Sequence, residues 1–376
     1  MSTFAKRILT LLLSLALVFG LAMPAYAATG ETPSDTDVVI PVPDSEGYLS
    51  SLAQAGIQLR AGMKSRQQTV VIKVMTTRTD LEAFVAEIHN IALQHTGLPT
   101  EGDYLRWQIG GYEVSVDGTS DGTYSKLTLT YNLTYYTSAE QETELDTAVN
   151  TVLDALDVYD ASDYDKIKAV YDYMCQNIAY DYEGLAASDK MVYTAYDALV
   201  NKKAVCQGYA NLFYRLMLEL DVDTRIITGT SMDEATQTDQ PHAWNIVKLE
   251  GEYYNADATW DAARAQADLA YAYFLRSSTS FENHTRDEEY TAQAFDAAYP
   301  MAAQNYTTGD NIPGDMDGNG EVNVDDVIRL LLFVTMPQDF QIDAEADFNN
   351  DSDVNVDDVI RLLLFVTMPE DFPLTA

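Results

Sequence analysis

Three residues in the middle of this sequence have the types and spacing for covalent chemistry: Cys206, His242 and Asp257. The run AVCQGYANLFYRLML sets Cys206 at the start of an apolar-periodic helix. There, backbone N–H groups without intrahelical partners and the helix dipole favour a thiolate over a thiol. HAWNIVKLEGEYYNADATWD puts His242 and Asp257 on two strand-like segments joined by a tight turn near Glu250-Gly251. With that pair as the loop, Thr259 falls opposite His242, and Asp257 is the diagonal neighbour on the same face. Diagonal neighbours are within reach of an imidazole–carboxylate hydrogen bond. Such a trio supplies a nucleophile, a proton carrier and a carboxylate that fixes the imidazole tautomer. The backbone N–H of Cys206 or a neighbouring side chain would serve the oxyanion. A lone cysteine at a helix is more often a small buried apolar residue. A cysteine at a helix start followed by a His–Asp pair on adjacent strands is a much rarer coincidence.

A second set of residues suits a hard cation. VNVDDVIRLLLFVTMP occurs twice without change, at 322–337 and 354–369. The oxygen donors Asp315, Asp317, Asn319, Glu321, Asn323 and Asp326 fall at positions 1, 3, 5, 7, 9 and 12 of a loop at the first copy. Asp347, Asn349, Asp351, Asp353, Asn355 and Asp358 repeat them at the second. That is the ligand pattern of an EF-hand-type calcium loop, with Asp in place of Glu at position 12. Position 6 is Gly320 in one loop and Ser352 in the other. An acidic turn before a helix does not account for two copies with the same ligand positions.

The remaining pattern describes what must carry these groups. Thr69–Met75 reads as a strand, and Asp80 as the cap of a helix burying Leu81, Phe84, Val85, Ile88 and Leu93. In YSKLTLTYNLTYY, Leu127, Leu129, Tyr131, Leu133 and Tyr135 alternate with Thr128, Thr130, Asn132 and Thr134, a half-buried antiparallel strand. Ser138 and Gln141 make a capping box for a helix burying Leu145, Val149, Val152 and Leu156. A further helix runs through Ile167, Val170, Tyr171, Met174 and Ile178, and strands are expected at Thr224–Gly229, Ala243–Leu249 and Tyr253–Thr259. Cys175 falls at the edge of the helix 163–179; packing there and a disulfide to Cys206, which would silence the nucleophile, both stay open. His89 and His95 lie six apart and do not share a helical face.

The chain has 376 residues, 47 % of them apolar, with 22 Lys and Arg against 59 Asp and Glu, a net charge of −37. That balance argues against nucleic acid and anionic membranes as partners, since no basic stripe exists to neutralise phosphates. Two cysteines and four histidines exclude a disulfide scaffold and a Cys-rich zinc module. Lys6 and Arg7, the apolar stretch from Ile8 to Ala22 and Ala25-Tyr26-Ala27 read as a secretory signal cleaved after Ala27. The expected organisation is a signal peptide over 1–27, a leader over 28–47, a small α+β region over 48–160, a catalytic domain over 161–300, a linker over 301–312 and a calcium module over 313–376.

VCQGYA, HAWNIVKLEGEYYNADATWD and the later YFLRSS resemble the transglutaminase-like superfamily over roughly 163–285. The resemblance implies an α+β, papain-like fold in which Cys206 is the nucleophile, His242 the general acid/base and Asp257 its orienting partner. Tyr209, Trp244 and Trp260 would then line or brace the cleft. Animal-type members carry a tryptophan upstream of the cysteine that helps bind the oxyanion. Here the only earlier one is Trp107, in a different region, and Tyr180 or Tyr182 is the substitute. The departure counts against protein cross-linking more than against amide hydrolysis.

The duplicated loop–helix units resemble a type I dockerin over about 313–373, an all-α module. That resemblance implies two bound calcium ions and a cohesin domain of a scaffoldin or cell-surface protein as partner. Recognition would fall on Val324, Asp325, Leu331 and Leu332, and on Val356, Asp357, Leu363 and Leu364. Together the two resemblances imply a secreted, cellulosome-type cysteine enzyme acting on amide or peptide bonds. The alternatives are a cross-linking transglutaminase and a catalytically silent binding or structural component. No pair of carboxylates supports a glycosidase.

Overall fold

The computed structural model of the chain describes residues 44, 46–233, 238–267, 269–307, 312–316, 322–336, 340, 342, 346–349, 351, 353–369 and 371–374, and the backbone alone of Ile8–Leu15 and Asp233. Most of the expected signal and leader, and the loop positions Asp317, Asn319, Gly320, Glu321 and Ser352, lie outside the described residues.

The N-terminal unit is a four-stranded antiparallel sheet, order β1-β3-β4-β2, with helices on one face. It comprises β1 (Ile8–Leu15), α1 (Leu52–Lys64), β2 (Thr69–Thr76), α2 (Leu81–Ala92), α3 (Asp103–Arg106), β3 (Ile109–Ser120) and β4 (Ser125–Tyr135). Period-2 alternation decides which face is covered. Val70, Ile72 and Val74 of β2 share a core with Leu127, Leu129, Tyr131 and Leu133 of β4 and with Leu59, Phe84, Val85 and Ile88 of the helices. Asp80 stands at the N-terminus of α2 as expected, but its carboxylate pairs with Arg78 and makes no cap hydrogen bond. β1 is the apolar stretch expected to belong to the export signal, and it lies along β3 from Ile8↔Thr119 to Leu15↔Tyr112.

The second unit carries the nucleophile helix at its centre. Its elements are α4 (Ala139–Leu156), α5 (Asp163–Asn177), β5 (Ala179–Tyr180), α6 (Tyr182–Ala186), α7 (Ala195–Val200), β6 (Lys203–Ala204), α8 (Cys206–Glu219), β7 (Thr224–Asp233), β8 (Thr238–Leu249), β9 (Glu252–Ala256), α9 (Ala258–Ala265), β10 (His284–Arg286) and α10 (Gln293–Ala298). The capping box of Ser138 and Gln141 opens α4. Every residue of α8 from Gln207 to Leu218 is buried, so this helix is wrapped on all sides. The antiparallel sheet runs β10-β7-β8-β9.

Glu250 (φ 52) and Gly251 (φ 95) form the two-residue hairpin turn between β8 and β9, and Leu249 pairs with Glu252. Positive φ at both central residues is what such a turn requires. The register is therefore the expected one, but the second strand is shorter. β9 ends at Ala256, and Asp257 caps α9 where a strand to Thr259 was expected. The physical reason is local: an Asp side chain accepting the N–H groups two and three residues on starts a helix more readily than it continues a strand.

A buried ion pair joins the two units. Arg225 of β7 donates from Nε and Nη2 to the Asp103 carboxylate at 2.6 and 2.9 Å. Burial opposes charge at Asp103, and the Arg225 guanidinium overrides it, holding the carboxyl below its ordinary value. At the C-terminus α11 (Val324–Thr335) and α12 (Val356–Thr367) pack through Val327, Leu330, Val359 and Leu362. Among the described residues no helix is long and apolar enough to cross a membrane.

Candidate active site

The sequence places Cys206 first in α8, directly after Val205, whose side chain makes no cap bond. The helix start is pressed against its surroundings. A Cβ on Gly208 would lie 2.7 Å from both the Val192 carbonyl oxygen and Ala204 Cβ, so only glycine lets the nucleophile turn sit this deep. β5 and β6 flank it as a parallel pair, Tyr180 opposite Ala204.

His242 stands in β8 opposite Gly229 of β7, and a Cβ on Gly229 would strike the Thr285 carbonyl at 1.9 Å. Its Nε2 lies 2.7 Å from Asp257 Oδ2, and the Cys206 sulfur is near enough to raise its proton affinity. With Nε2 committed to the carboxylate, Nδ1 is the nitrogen left to serve the sulfur. Burial alone pulls proton affinity at His242 down, but the Asp257 carboxylate and the Cys206 sulfur outweigh it and push the pKa up to about 10. The structure thus brings together all three residues expected to carry the chemistry.

Asp257 is 1 % exposed and has four donors around it. Oδ1 accepts the backbone N–H groups of Thr259 (2.9 Å) and Trp260 (3.3 Å). Oδ2 accepts from His242 and faces Nε2 of His284 at 3.1 Å. Burial would protonate this carboxyl, but the two imidazoles hold it well below the usual carboxylate range. His284 was not singled out from the sequence. It lies in SFENHTRD, which has no motif, and reaches the site because β10 pairs with the edge of β7, His284 opposite Ser231. His242, Asp257 and His284 form a compact cluster, yet both nitrogens nearest the carboxylate are engaged with it. That is a hydrogen-bonded relay.

The surrounding aromatic residues divide by position. Tyr209 and Trp244 are each 1 % exposed, with the Tyr209 hydroxyl donating to the Ile178 carbonyl at 2.6 Å; they brace the site from within. Trp260 is half-buried, its ring centroid 5.6 Å from that of His242. Of the two tyrosines considered for the oxyanion, burial and the nearby Cys206 sulfur push the Tyr180 hydroxyl up, whereas Tyr182 is 73 % exposed. Trp107 also reaches the helix start, where its carbonyl accepts from Gln207 Nε2 at 2.9 Å. Cys175 and Cys206 are both free thiols. Cys175 is fully buried against the Ala258 carbonyl, and burial pushes its thiol far above its ordinary value.

Among the described residues, the two C-terminal helices begin with the same hydrogen bonds. Asp326 closes a capping box with Asn323 and also accepts the Met316 N–H at 2.7 Å. Asp358 does the same with Asn355 and the Phe348 N–H at 2.8 Å. Both carboxylates are fully buried. In the second loop Asp347, Asn349, Asp351 and Asp353 are tied to one another, Asp351 N–H to Asp347 Oδ1 at 3.1 Å and Asp353 N–H to Asp351 Oδ1 at 2.9 Å. Those contacts gather the side-chain oxygens of Asp347, Asn349 and Asp351 into one turn.

Residues 151–258 match the sequence model of the Transglutaminase-like superfamily. That span contains Cys206, His242 and Asp257 and ends before His284. The chain is 31 % identical over 129 residues to the kyphoscoliosis peptidase of Mus musculus and 30 % identical over 129 residues to that of Homo sapiens. Each match covers 33 % of this chain and 20 % of the relative, so the chain spans about a fifth of the curated relatives' length. A solved structure described as a TGase is similar at 16 % identity and TM-score 0.29, over 50 % of this chain and 51 % of that one. The chain contains a transglutaminase-like domain in a mixed α+β fold.

Proposed function

From that domain, we propose that the chain is a cysteine enzyme in which Cys206, His242 and Asp257 act as a catalytic triad on amide bonds. The observation that carries this reading is the continuous line from the Cys206 thiol through His242 to Asp257, with the sulfur at a helix N-terminus. The Cys206 thiolate adds to an amide carbonyl, and the oxyanion is met by the Cys206 N–H and the Tyr180 hydroxyl. His242 gives its proton to the leaving amine, whose C–N bond breaks as the thioester forms. Water, deprotonated by His242, then attacks the thioester, returning the acid product and the free thiol. Asp257 stays ionised throughout and holds the imidazole. A peptide or protein is the proposed substrate. Transglutamination differs only in the second step, where an amine replaces water.

The C-terminal module is proposed to bind two calcium ions, through Asp315, Asp317, Asn319, Glu321, Asn323 and Asp326 and through Asp347, Asn349, Asp351, Asp353, Asn355 and Asp358. Loaded with calcium, it would act as a dockerin that tethers a secreted enzyme to a cohesin of a scaffoldin. In support, each helix presents the same apolar stripe. Val324, Ile328 and Leu331 are 52, 48 and 41 % exposed, and Val356, Ile360 and Leu363 are 49, 50 and 41 % exposed.

The deciding experiment incubates wild type and Cys206→Ala with peptide and amine libraries, reading cleaved fragments and incorporated amine by mass spectrometry. New fragments in the wild type alone are expected. Amine incorporation without fragments would favour the transferase. Equal turnover in Cys206→Ala would sink the triad.

A further inference from the structure

His284 makes hydrogen bonds that a neutral imidazole cannot complete. Its side chain is 1 % exposed and enclosed by the rings of Trp244, Trp260, Tyr273 and Phe281, with centroids 5.1, 4.6, 5.6 and 4.0 Å away. Nδ1 lies 2.9 Å from the Glu282 carbonyl oxygen, which can only accept, so Nδ1 carries a proton. Nε2 lies 3.1 Å from Asp257 Oδ2, also an acceptor. A bare Nε2 would set its lone pair against a carboxylate in a buried site. A ring that donates from both nitrogens is an imidazolium.

We propose that His284 is a positioning residue, a buried imidazolium that grips Asp257 beside His242 and balances its charge. It rests on the reading of Cys206, His242 and Asp257 as one catalytic unit. With thiolate, His242 imidazolium and Asp257 carboxylate alone, the resting site holds one uncompensated negative charge. With His284 it holds two anions and two cations. Buried charge is tolerated when it is paired, so the fourth group offsets the Asp257 carboxylate within a buried site. It also divides the carboxylate's pull, so that His242 yields its proton to a leaving amine more readily. The titratable groups facing His284 are Asp257 from the start of α9, His242 from β8 and the Tyr273 phenol from the segment after α9. Its register partner on β7, Ser231, is uncharged.

Two measurements on the full-length, calcium-loaded protein test this. Nitrogen-15 NMR of the histidine side chains at pH 7 should show a proton bonded to each ring nitrogen of His284. A bare Nε2 would overturn the proposal. His284→Gln keeps a donor toward Asp257 and removes the charge. Loss of a positive charge raises the proton affinity of its neighbours, so both limbs of the pH profile for Cys206 alkylation by iodoacetamide should move to higher pH by about 0.5–1 unit. A profile superimposable on wild type would overturn it. Should His284→Gln fail to fold, the NMR result on the unaltered protein decides alone. Neither readout uses a substrate, so absent amide cleavage with an intact imidazolium would refute the proposed function and leave this assignment standing.

Discussion

Asp257→Asn changes one oxygen of the triad into an amide nitrogen and keeps the local backbone geometry. Oδ1 still accepts the Thr259 and Trp260 N–H groups, and Asn is as good a helix cap as Asp, so the cap survives and the stability lost is what the charge supplied to the two imidazoles. The side facing the imidazoles inverts. Where Oδ2 accepted from His242 Nε2 at 2.7 Å, an amide N–H now points at that nitrogen. The ring is driven to the tautomer protonated on Nδ1, with its proton turned toward sulfur and no lone pair to take the thiol proton. The magnitude follows from the electrostatics. Against burial, Asp257 and Cys206 lift His242 from its ordinary 6.5 to about 10. A rise of about 3.5 at 1.36 kcal/mol for each pH unit is ~5 kcal/mol of imidazolium stabilisation, most of it from the carboxylate. Losing it predicts a fall of about 10²–10⁴ in the rate at which Cys206 reacts near neutral pH. The assay is the second-order rate of iodoacetamide labelling at Cys206 from pH 5 to 11, read by peptide mapping. Buried Cys175 serves as the unlabelled internal control. Wild type should label fast across a plateau that ends as His242 loses its proton near about 10, whereas the variant should label slowly at neutral pH and rise only toward alkaline pH. Rates within threefold of wild type at pH 7 would refute the reasoning.

The same shift links to stability. His242 is raised above its unfolded value, so the stability it contributes is complete below about 6.5 and is lost as pH rises toward about 10. Melting temperature in constant calcium should therefore fall more steeply from pH 7 to 10 in wild type than in Asp257→Asn; parallel curves would contradict this. Gly208→Ala gains about 1 kcal/mol of helix propensity but forces a methyl to 2.7 Å from the Val192 carbonyl; overpacking of this kind costs about 1–3 kcal/mol. Urea melts should show net destabilisation of up to ~2 kcal/mol, and a raised midpoint would mean the helix start can shift. Residues 310–376 carry 16 acidic and 2 basic side chains, so chelator should expose that part of the full-length chain to protease and calcium should restore its resistance. Cleavage indifferent to chelator would exclude calcium-dependent folding. Because the helix faces repeat, Leu331→Asp alone should cost a cohesin about the statistical factor of two, ~0.4 kcal/mol, and adding Leu363→Asp should abolish binding. Loss of binding in a folded single variant would mean that one face dominates.

Cys206, His242 and the hairpin register were legible because their signals are local. An apolar period of 3.6 beginning at Cys206 marks a helix N-terminus, and a Glu-Gly pair between two apolar runs marks a two-residue turn. Counting outward from that turn puts Asp257 near His242 whatever the rest of the chain does. The duplicated segment was legible for the same reason: a 16-residue repeat, and the helix that each copy starts, are local properties of the sequence. The role of Asp257 as a cap was decided by competition between strand and helix at its own backbone, which alternation does not register. His284, 27 residues beyond Asp257, has no local signature. Only the pairing of the short β10 with β7, and the close approach that Gly229 permits, carry its ring to the carboxylate. Trp107 reaches the nucleophile helix likewise through the contact between two units, across 100 residues of chain. Local periodicity and turn chemistry specify elements and the contacts inside a hairpin. Contacts made by docking one edge or unit against another depend on the whole packed core, and those decide what surrounds the reacting atoms.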